Sequence, residues 1–184
     1  MKEFPAITTE RLVLRKPLSE DIDSYFKICQ NEEVMRFYGK EPYQKREQAE
    51  KDMEWMLGIF AKDEGVRWVI TLKGKDECIG DLGFDHWEKK HFKCEIGYKL
   101  KQECWGKGYM TEAARSMIDY IYKELDMNRI YAFVDPANPP SYKVLKHLGF
   151  QKEGTLRESA YEKGTFIDLQ VFSLLRREWK RKDR

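Results

Sequence analysis

The chain has 184 residues, of which 41% are apolar, 36% charged and 14% aromatic; this size and apolar content suit a single globular domain over residues 1–184 and exclude a disordered chain. Thirty-four Lys and Arg against 32 Asp and Glu leave a net charge of +2, too weak a field to gather nucleic acid or an anionic bilayer, and no apolar run approaches the roughly 20 residues that cross a membrane. Cys29, Cys78, Cys94 and Cys104 form no CxxC pair and no apolar export segment precedes them, so reduced thiols in a cytoplasmic protein are expected. His86, His91 and Cys94 form a loose cluster with no second ligand pair beside it, and no metal is expected.

Residues 10–15 alternate around Leu12 and Leu14 and stop before Pro17, which predicts a first strand. Ser19 is placed to cap a helix starting near Glu20, with Ile22, Tyr25, Phe26 and Cys29 on one face. Ala49, Met53, Met56 and Phe60 recur at spacings of four, three and four, predicting a helix over residues 44–61. Strand-like runs follow at residues 66–72, 78–84 and 92–100, separated by turn stretches at 73–76 and 85–91, as in an antiparallel meander. Met110, Ala113, Ala114, Met117, Ile121 and Leu125 then mark an amphipathic helix, and residues 130–134 a buried strand. Asn138 followed by Pro139 opens a helix that ends at Gly149, and residues 151–157 and 166–175 read as closing strands. This order predicts an α+β fold with a mixed sheet.

The chemistry concentrates just before the helix at Gly108. The run Cys104-Trp105-Gly106-Lys107-Gly108 holds no Ser, Thr, Asp or Asn in the capping position, so the first-turn N–H groups need another partner. Two glycines let the backbone approach a ligand, the helix start carries roughly half a positive charge, and Lys107 adds a full one. An anion such as pyrophosphate suits the place, and so does water. The run is neither a GxxxxGK[ST] phosphate loop nor a GxGxxG dinucleotide fingerprint.

The segments Glu95-Ile96-Gly97-Tyr98, Trp105-Gly106-Lys107-Gly108-Tyr109-Met110-Thr111-Glu112-Ala113, Asn138-Pro139-Pro140-Ser141 and Leu148-Gly149-Phe150 together resemble the GNAT N-acetyltransferases. With the opening Thr9-Glu10-Arg11-Leu12-Val13-Leu14-Arg15, the chain is most similar to the Rim type, which acetylates protein N-termini. The resemblance implies a mostly antiparallel central sheet with helices on both faces and an acetyl-CoA cosubstrate lying in a wedge between two splayed parallel strands. It places pyrophosphate on the amides of Gly106, Lys107, Gly108, Tyr109 and Met110. The pantetheine arm would run beside the backbone of Tyr98, Lys99, Leu100 and Lys101, with Asn138 and Ser141 meeting it from the other side.

Acetyl transfer to an amine needs a proton acceptor and a group that steadies the departing thiolate. The resemblance puts Glu95 in the place of the catalytic glutamate of several members, on the strand face shared with Gly97 and Lys99; a solvated strand glutamate is the plainer reading. Many members carry a tyrosine acid four residues before the terminal glycine of the Asn-led helix, where this chain has Leu145. Rim-type members carry a serine at the place of Ser141, whose hydroxyl would bond the leaving sulfur. Asp81 stands second to Glu95 as a base, and His147 is expected on a helix surface. Trp55, Phe60, Trp87 and Tyr161 are candidates for an acceptor groove, and the basic end at Arg176, Arg177, Lys180, Arg181, Lys182 and Arg184 for contact with RNA. The expected activity is transfer from acetyl-CoA to a primary amine by direct attack in a ternary complex. A protein N-terminal α-amine is the favoured acceptor, no membrane or nucleic-acid partner is expected, and a homodimer is allowed for. A polyamine or aminoglycoside acetyltransferase and a non-catalytic acyl-CoA-binding regulator stand as the alternatives.

Overall fold

The computed structural model describes residues 3–179 and arranges them around one sheet. Its strands are β1 (Ile7–Thr8), β2 (Leu12–Arg15), β3 (Val66–Leu72), β4 (Cys78–Glu88), β5 (Lys93–Leu100), β6 (Arg129–Val134), β7 (Gln151–Glu162) and β8 (Thr165–Leu175). The helices are α1 (Ile22–Gln30), α2 (Glu32–Met35), α3 (Arg46–Ala61), α4 (Tyr109–Glu124), α5 (Pro139–Leu148) and α6 (Arg176–Trp179). The strand order is β1-β2-β3-β4-β5-β6-β8-β7, antiparallel at every junction except β5 with β6. The expected α+β class and mixed, mostly antiparallel sheet are both present.

Period-two alternation divides the core into two layers. Trp68 and Ile70 of β3, Leu82 and Phe84 of β4, and Cys94 and Ile96 of β5 pack against the stripe Ala113, Ala114, Met117, Ile118 and Ile121 of α4. On the other face Val69 and Cys78 lie under Tyr25, Ile28 and Cys29 of α1 and Ala49, Met53 and Met56 of α3. Helices therefore cover both faces. The four cysteines are free and buried, and among the described residues no helix is long and apolar enough to cross a membrane.

Several local expectations change. Ser19 does not cap α1: its hydroxyl turns to Glu20, while Asp21 accepts from the Leu18 amide at 2.8 Å and from Arg15, so a 3₁₀ turn over Ser19–Asp21 precedes a helix that starts at Ile22. The short α2 was not expected; Asn31 caps it by accepting from the Glu33 and Val34 amides. β4 runs on to Glu88 past a bulge, its residues 85–88 alternating partly buried and exposed positions; Asp85, His86 and Glu88 make the stretch read as a polar turn in sequence. β7 reaches Glu162 rather than residue 157 for the same reason: it lies at the sheet edge, pairs only with β8, and is polar on both faces. Arg176 of the basic end is paired with Asp126, and Lys180, Arg181, Lys182 and Arg184 lie outside the described residues.

Candidate active site

The parallel pair β5 and β6 is joined at only three registers, Lys93 with Arg129, Cys94 with Ile130 and Glu95 with Tyr131. Beyond Glu95 and Tyr131 the strands separate, so Ile96–Leu100 and Ala132–Val134 form the arms of a wedge with Glu95 at its apex. This is the splay expected from the resemblance. Part of the expected pantetheine edge is already engaged: the Leu100 carbonyl accepts from the Trp105 indole at 2.7 Å, and the Lys101 amide donates to Ile79 at 2.8 Å.

The glycine loop lies at the open end. Gly106 and Gly108 have φ of 72° and 79°, a region that side chains with a Cβ rarely occupy. Gly108 is the N-cap of α4 and supplies no side-chain cap, and no acceptor among the described residues takes the N–H groups of Gly108, Tyr109, Met110 or Thr111. Four such donors at the positive end of a 16-residue helix fit a pyrophosphate, with Lys107 beside them.

The other arm leads into α5. Asn138 accepts from the Ser141 amide at 3.2 Å and Pro139 occupies the first helical position, as expected. The Ser141 hydroxyl lies 2.8 Å from the Tyr98 hydroxyl, a contact that links β5 to α5. Burial pushes the Tyr98 phenol up to about 12, partly offset by this bond, so Tyr98 holds its proton at neutral pH; it donates to the Ser141 carbonyl at 3.3 Å, and either hydroxyl can donate in the contact between the two. Leu145 is fully buried in the core, and no tyrosine acid stands there.

On the opposite face of the sheet, Arg67, Asp81, Asp85, Glu95, Gly97 and Lys99 come together through register: Asp81 with Lys99, Gly83 with Gly97, and Asp85 with Glu95. A Cβ on Gly97 would lie 3.0 Å from the Arg67 Nη1, and one on Gly83 would lie 2.7 Å from the Arg67 Cδ. Gly97 thus leaves room for the guanidinium, and Gly83 for the backbone and stem of Arg67. Arg67 donates to Asp81 at 2.7 Å and is 3.6 Å from Asp85. The Lys99 ammonium is 3.2 Å from Asp81 and 4.0 Å from the Tyr38 ring centre. Above this floor a cavity of about 490 Å³ is lined by Tyr25, Tyr38, Lys40, Asp52, Trp55, Arg67 and Asp85.

Glu95 borders the same face. Burial raises its pKa, a neighbouring Asp85 raises it further, and His86 and Arg67 oppose the rise. Its carboxylate is 3.6 Å from the His86 Nδ1, which is itself 2.6 Å from Asp85. These three residues are one group whose ligand atoms lie within 4.8 Å of one another; it differs from the His86, His91 and Cys94 cluster considered from sequence, because Cys94 is buried on the other face.

Other expectations are corrected. Asp81 cannot serve as a base: it is fully buried and held between Arg67 and Lys99. The Lys99 side chain points to the face of Asp81 and Tyr38, leaving only its backbone toward the wedge edge. Of the aromatic candidates Trp55 lines the cavity, whereas Phe60 packs on Phe4, Trp87 packs on Phe84, and Tyr161 stacks on Phe166 in the β7–β8 hairpin. His147 is on the exposed face of α5. Sequence reasoning missed Arg67, Tyr38 and Asp52; a lone arginine inside an apolar strand was the available signal for Arg67.

Residues 11–151 match the acetyltransferase (GNAT) domain family. The chain is 40% identical over 171 residues, 93% of its length and 96% of the relative's, to the N-acetyltransferase p20 of Bacillus licheniformis. It is 27% identical over 154 residues, 82% of its length and 79% of the relative's, to the spermidine N(1)-acetyltransferase of Escherichia coli K12. Its fold superposes with a TM-score of 0.82 on the ribosomal-protein-S5-alanine acetyltransferase of Vibrio fischeri, at 23% identity, covering 95% of this chain and 98% of that one. Because the family match takes in the wedge, the glycine loop and the Asn138 helix in one stretch, the chain belongs to the GNAT family and is an acetyltransferase.

Proposed function

We propose that the chain acetylates the N-terminal α-amine of a protein, taking the acetyl group from acetyl-CoA by direct attack in a ternary complex. The observation that carries the choice of acceptor is the charge balance of the cavity. Its lining holds two cations, Lys40 and Arg67, against two carboxylates, Asp52 and Asp85. Asp52 already accepts from Lys40 and from the hydroxyls of Tyr25 and Tyr43, and Arg67 is matched by Asp81 and Asp85. A polyamine with several ammonium groups needs an excess of carboxylate that this lining does not offer, whereas a peptide terminus brings one amine and neutral amides. The α-amine also suits a weak base: with a pKa of about 7.7–8.0 it is appreciably neutral at physiological pH, while a lysine amine near about 10.4 is not.

Acetyl-CoA, when bound, supplies an activated acyl group. The amides of Gly108, Tyr109 and Met110, with Gly106 and Lys107, hold its pyrophosphate, and the unpaired edges of β5 and β6 flank the pantetheine. Asn138 fixes the start of α5 and with it Ser141. Glu95, at the wedge apex, accepts the proton that the amine loses, directly or through one water. Ser141, held beside the Tyr98 hydroxyl at 2.8 Å, turns its own proton to the departing sulfur.

The test is release of free thiol from acetyl-CoA with a panel of N-terminal peptides, spermidine and an aminoglycoside. A peptide amine turned over at least tenfold more efficiently than spermidine supports the assignment. Preference for spermidine over every peptide removes the α-amine reading and leaves acetyl transfer intact.

A further inference from the structure

Arg11 lies in β2's approach, far in sequence from the glycine loop, yet its guanidinium reaches into that loop. Nη1 donates to the Lys107 carbonyl at 3.0 Å, Nε donates to Glu112 at 2.6 Å, and the group lies 4.7 Å from the centre of the Tyr109 ring. The Glu112 carboxylate is fixed in turn, accepting from the Thr9 hydroxyl at 2.6 Å and the Arg11 amide at 2.8 Å. A Cβ on Gly108 would stand 3.4 Å from Arg11 Nη2, so the guanidinium lies within van der Waals reach of the loop backbone.

The consequence follows from peptide geometry. No cis bond is present among the described residues, and in a trans peptide the C=O and the next N–H point in opposite directions. Drawing the Lys107 carbonyl toward Arg11 therefore turns the Gly108 N–H away from the guanidinium. Without that anchor, two glycine-flanked peptides have little to choose between their orientations. A lysine would not substitute, since one ammonium cannot span the carbonyl and the carboxylate as the planar fork does.

We propose that Arg11 is a positioning residue for acetyl-CoA: it orients the 107–108 peptide so that the loop amides converge on the pyrophosphate, and does not itself touch the ligand. This rests on the reading of the loop as the pyrophosphate site, and the two are separable by comparing thioesters. S-acetylpantetheine carries the same acyl group without the pyrophosphate, and acetyl-dephospho-CoA keeps the pyrophosphate without the 3′-phosphate.

Arg11→Ala should raise the KM for acetyl-CoA about tenfold with kcat within about twofold, the size of one lost charge-assisted hydrogen bond. The same factor is expected with acetyl-dephospho-CoA, and none with S-acetylpantetheine. Arg11→Lys, which keeps the charge and the stem over Tyr109, should show the same pattern at about threefold and serves as the reading should the alanine variant melt below the assay temperature. Equal losses on all three thioesters, or no loss on any, overturn the proposal. Disappearance of the loss with acetyl-dephospho-CoA overturns it too, in favour of direct contact with the 3′-phosphate. A wild-type enzyme that uses S-acetylpantetheine as efficiently as acetyl-CoA overturns the loop reading itself, and the role of Arg11 with it.

Discussion

Asp81→Asn tests the floor of the cavity lined by Tyr38, Trp55 and Arg67. The carboxylate sits between Arg67 at 2.7 Å and Lys99 at 3.2 Å, with side-chain exposures of 0%, 4% and 3% for the three groups. An asparagine there removes the charge that offsets two buried cations, and its amide nitrogen, a donor only, must face either the guanidinium or the ammonium. Breaking a buried ion pair from one side costs about 3–5 kcal/mol, and at roughly 2–4 °C per kcal/mol for a chain of this size the melting temperature should fall by roughly 6–20 °C. The second variant, Asp81→Asn with Lys99→Met, removes one cation and the donor conflict together, and leaves an apolar side chain under the Tyr25 and Tyr38 rings. It should recover at least half of the loss. Thermal unfolding followed by far-ultraviolet circular dichroism, with urea titration for the free energies, gives both numbers. A single variant melting within about 2 °C of wild type, or a double variant less stable than the single, would refute the argument that Asp81 exists to neutralise this floor.

Two predictions concern the chemistry. Glu95→Gln should lower kcat roughly 10²-fold, near the small end of general-base effects; because burial raises the Glu95 pKa above its ordinary 4.5, the wild-type rate falls as pH drops through that raised value and the carboxyl takes up its proton. That acid limb should be shared by acceptors of different amine pKa and be missing from the glutamine variant, and a pH–rate profile unchanged by the substitution would place the base elsewhere. Ser141→Ala should lower kcat about tenfold with little change in the KM for acetyl-CoA, and adding Tyr98→Phe should cost almost nothing more, since both hydroxyls serve one donor; equal losses in kcat and binding would instead mark Ser141 as part of the helix start.

Where one periodicity runs without interruption, the chain can be read directly. Residues 66–72 match β3 as observed, and the Asn138–Pro139 start and Gly149 stop frame α5 because caps are local signals. The glycine loop is legible for the same reason: an uncapped helix start and two adjacent glycines are visible without any tertiary information. The cavity floor is not. Arg67, Asp81, Gly83, Gly97 and Lys99 belong to three strands and meet only through pairing registers that no local pattern specifies. Asp81 read alone is a spare carboxylate; read between Arg67 and Lys99 it is a counter-ion. The tail of β4 escapes detection because Asp85, His86 and Glu88 leave Trp87 as its one apolar residue, and the tail of β7 because its residues are almost all exposed at the sheet edge.

The facing glycines Gly83 and Gly97 bear on how such an enzyme changes its taste in acceptors. A side chain on Gly83 would strike the Val66 carbonyl and the Arg67 Cα and Cδ, and one on Gly97 would press on the Arg67 guanidinium at 3.0 Å, so mutational drift at the base of the cavity is restrained from both sides of the strand pair. The walls are under no such restraint: Tyr38, Lys40, Asp52 and Trp55 stand on α3 and on the segment leading to it from α2, where a substitution alters what the cavity admits without disturbing a ladder. Divergence toward a new amine is therefore channelled into the helical cover, while the strands that carry Glu95 and the wedge pass through it unaltered.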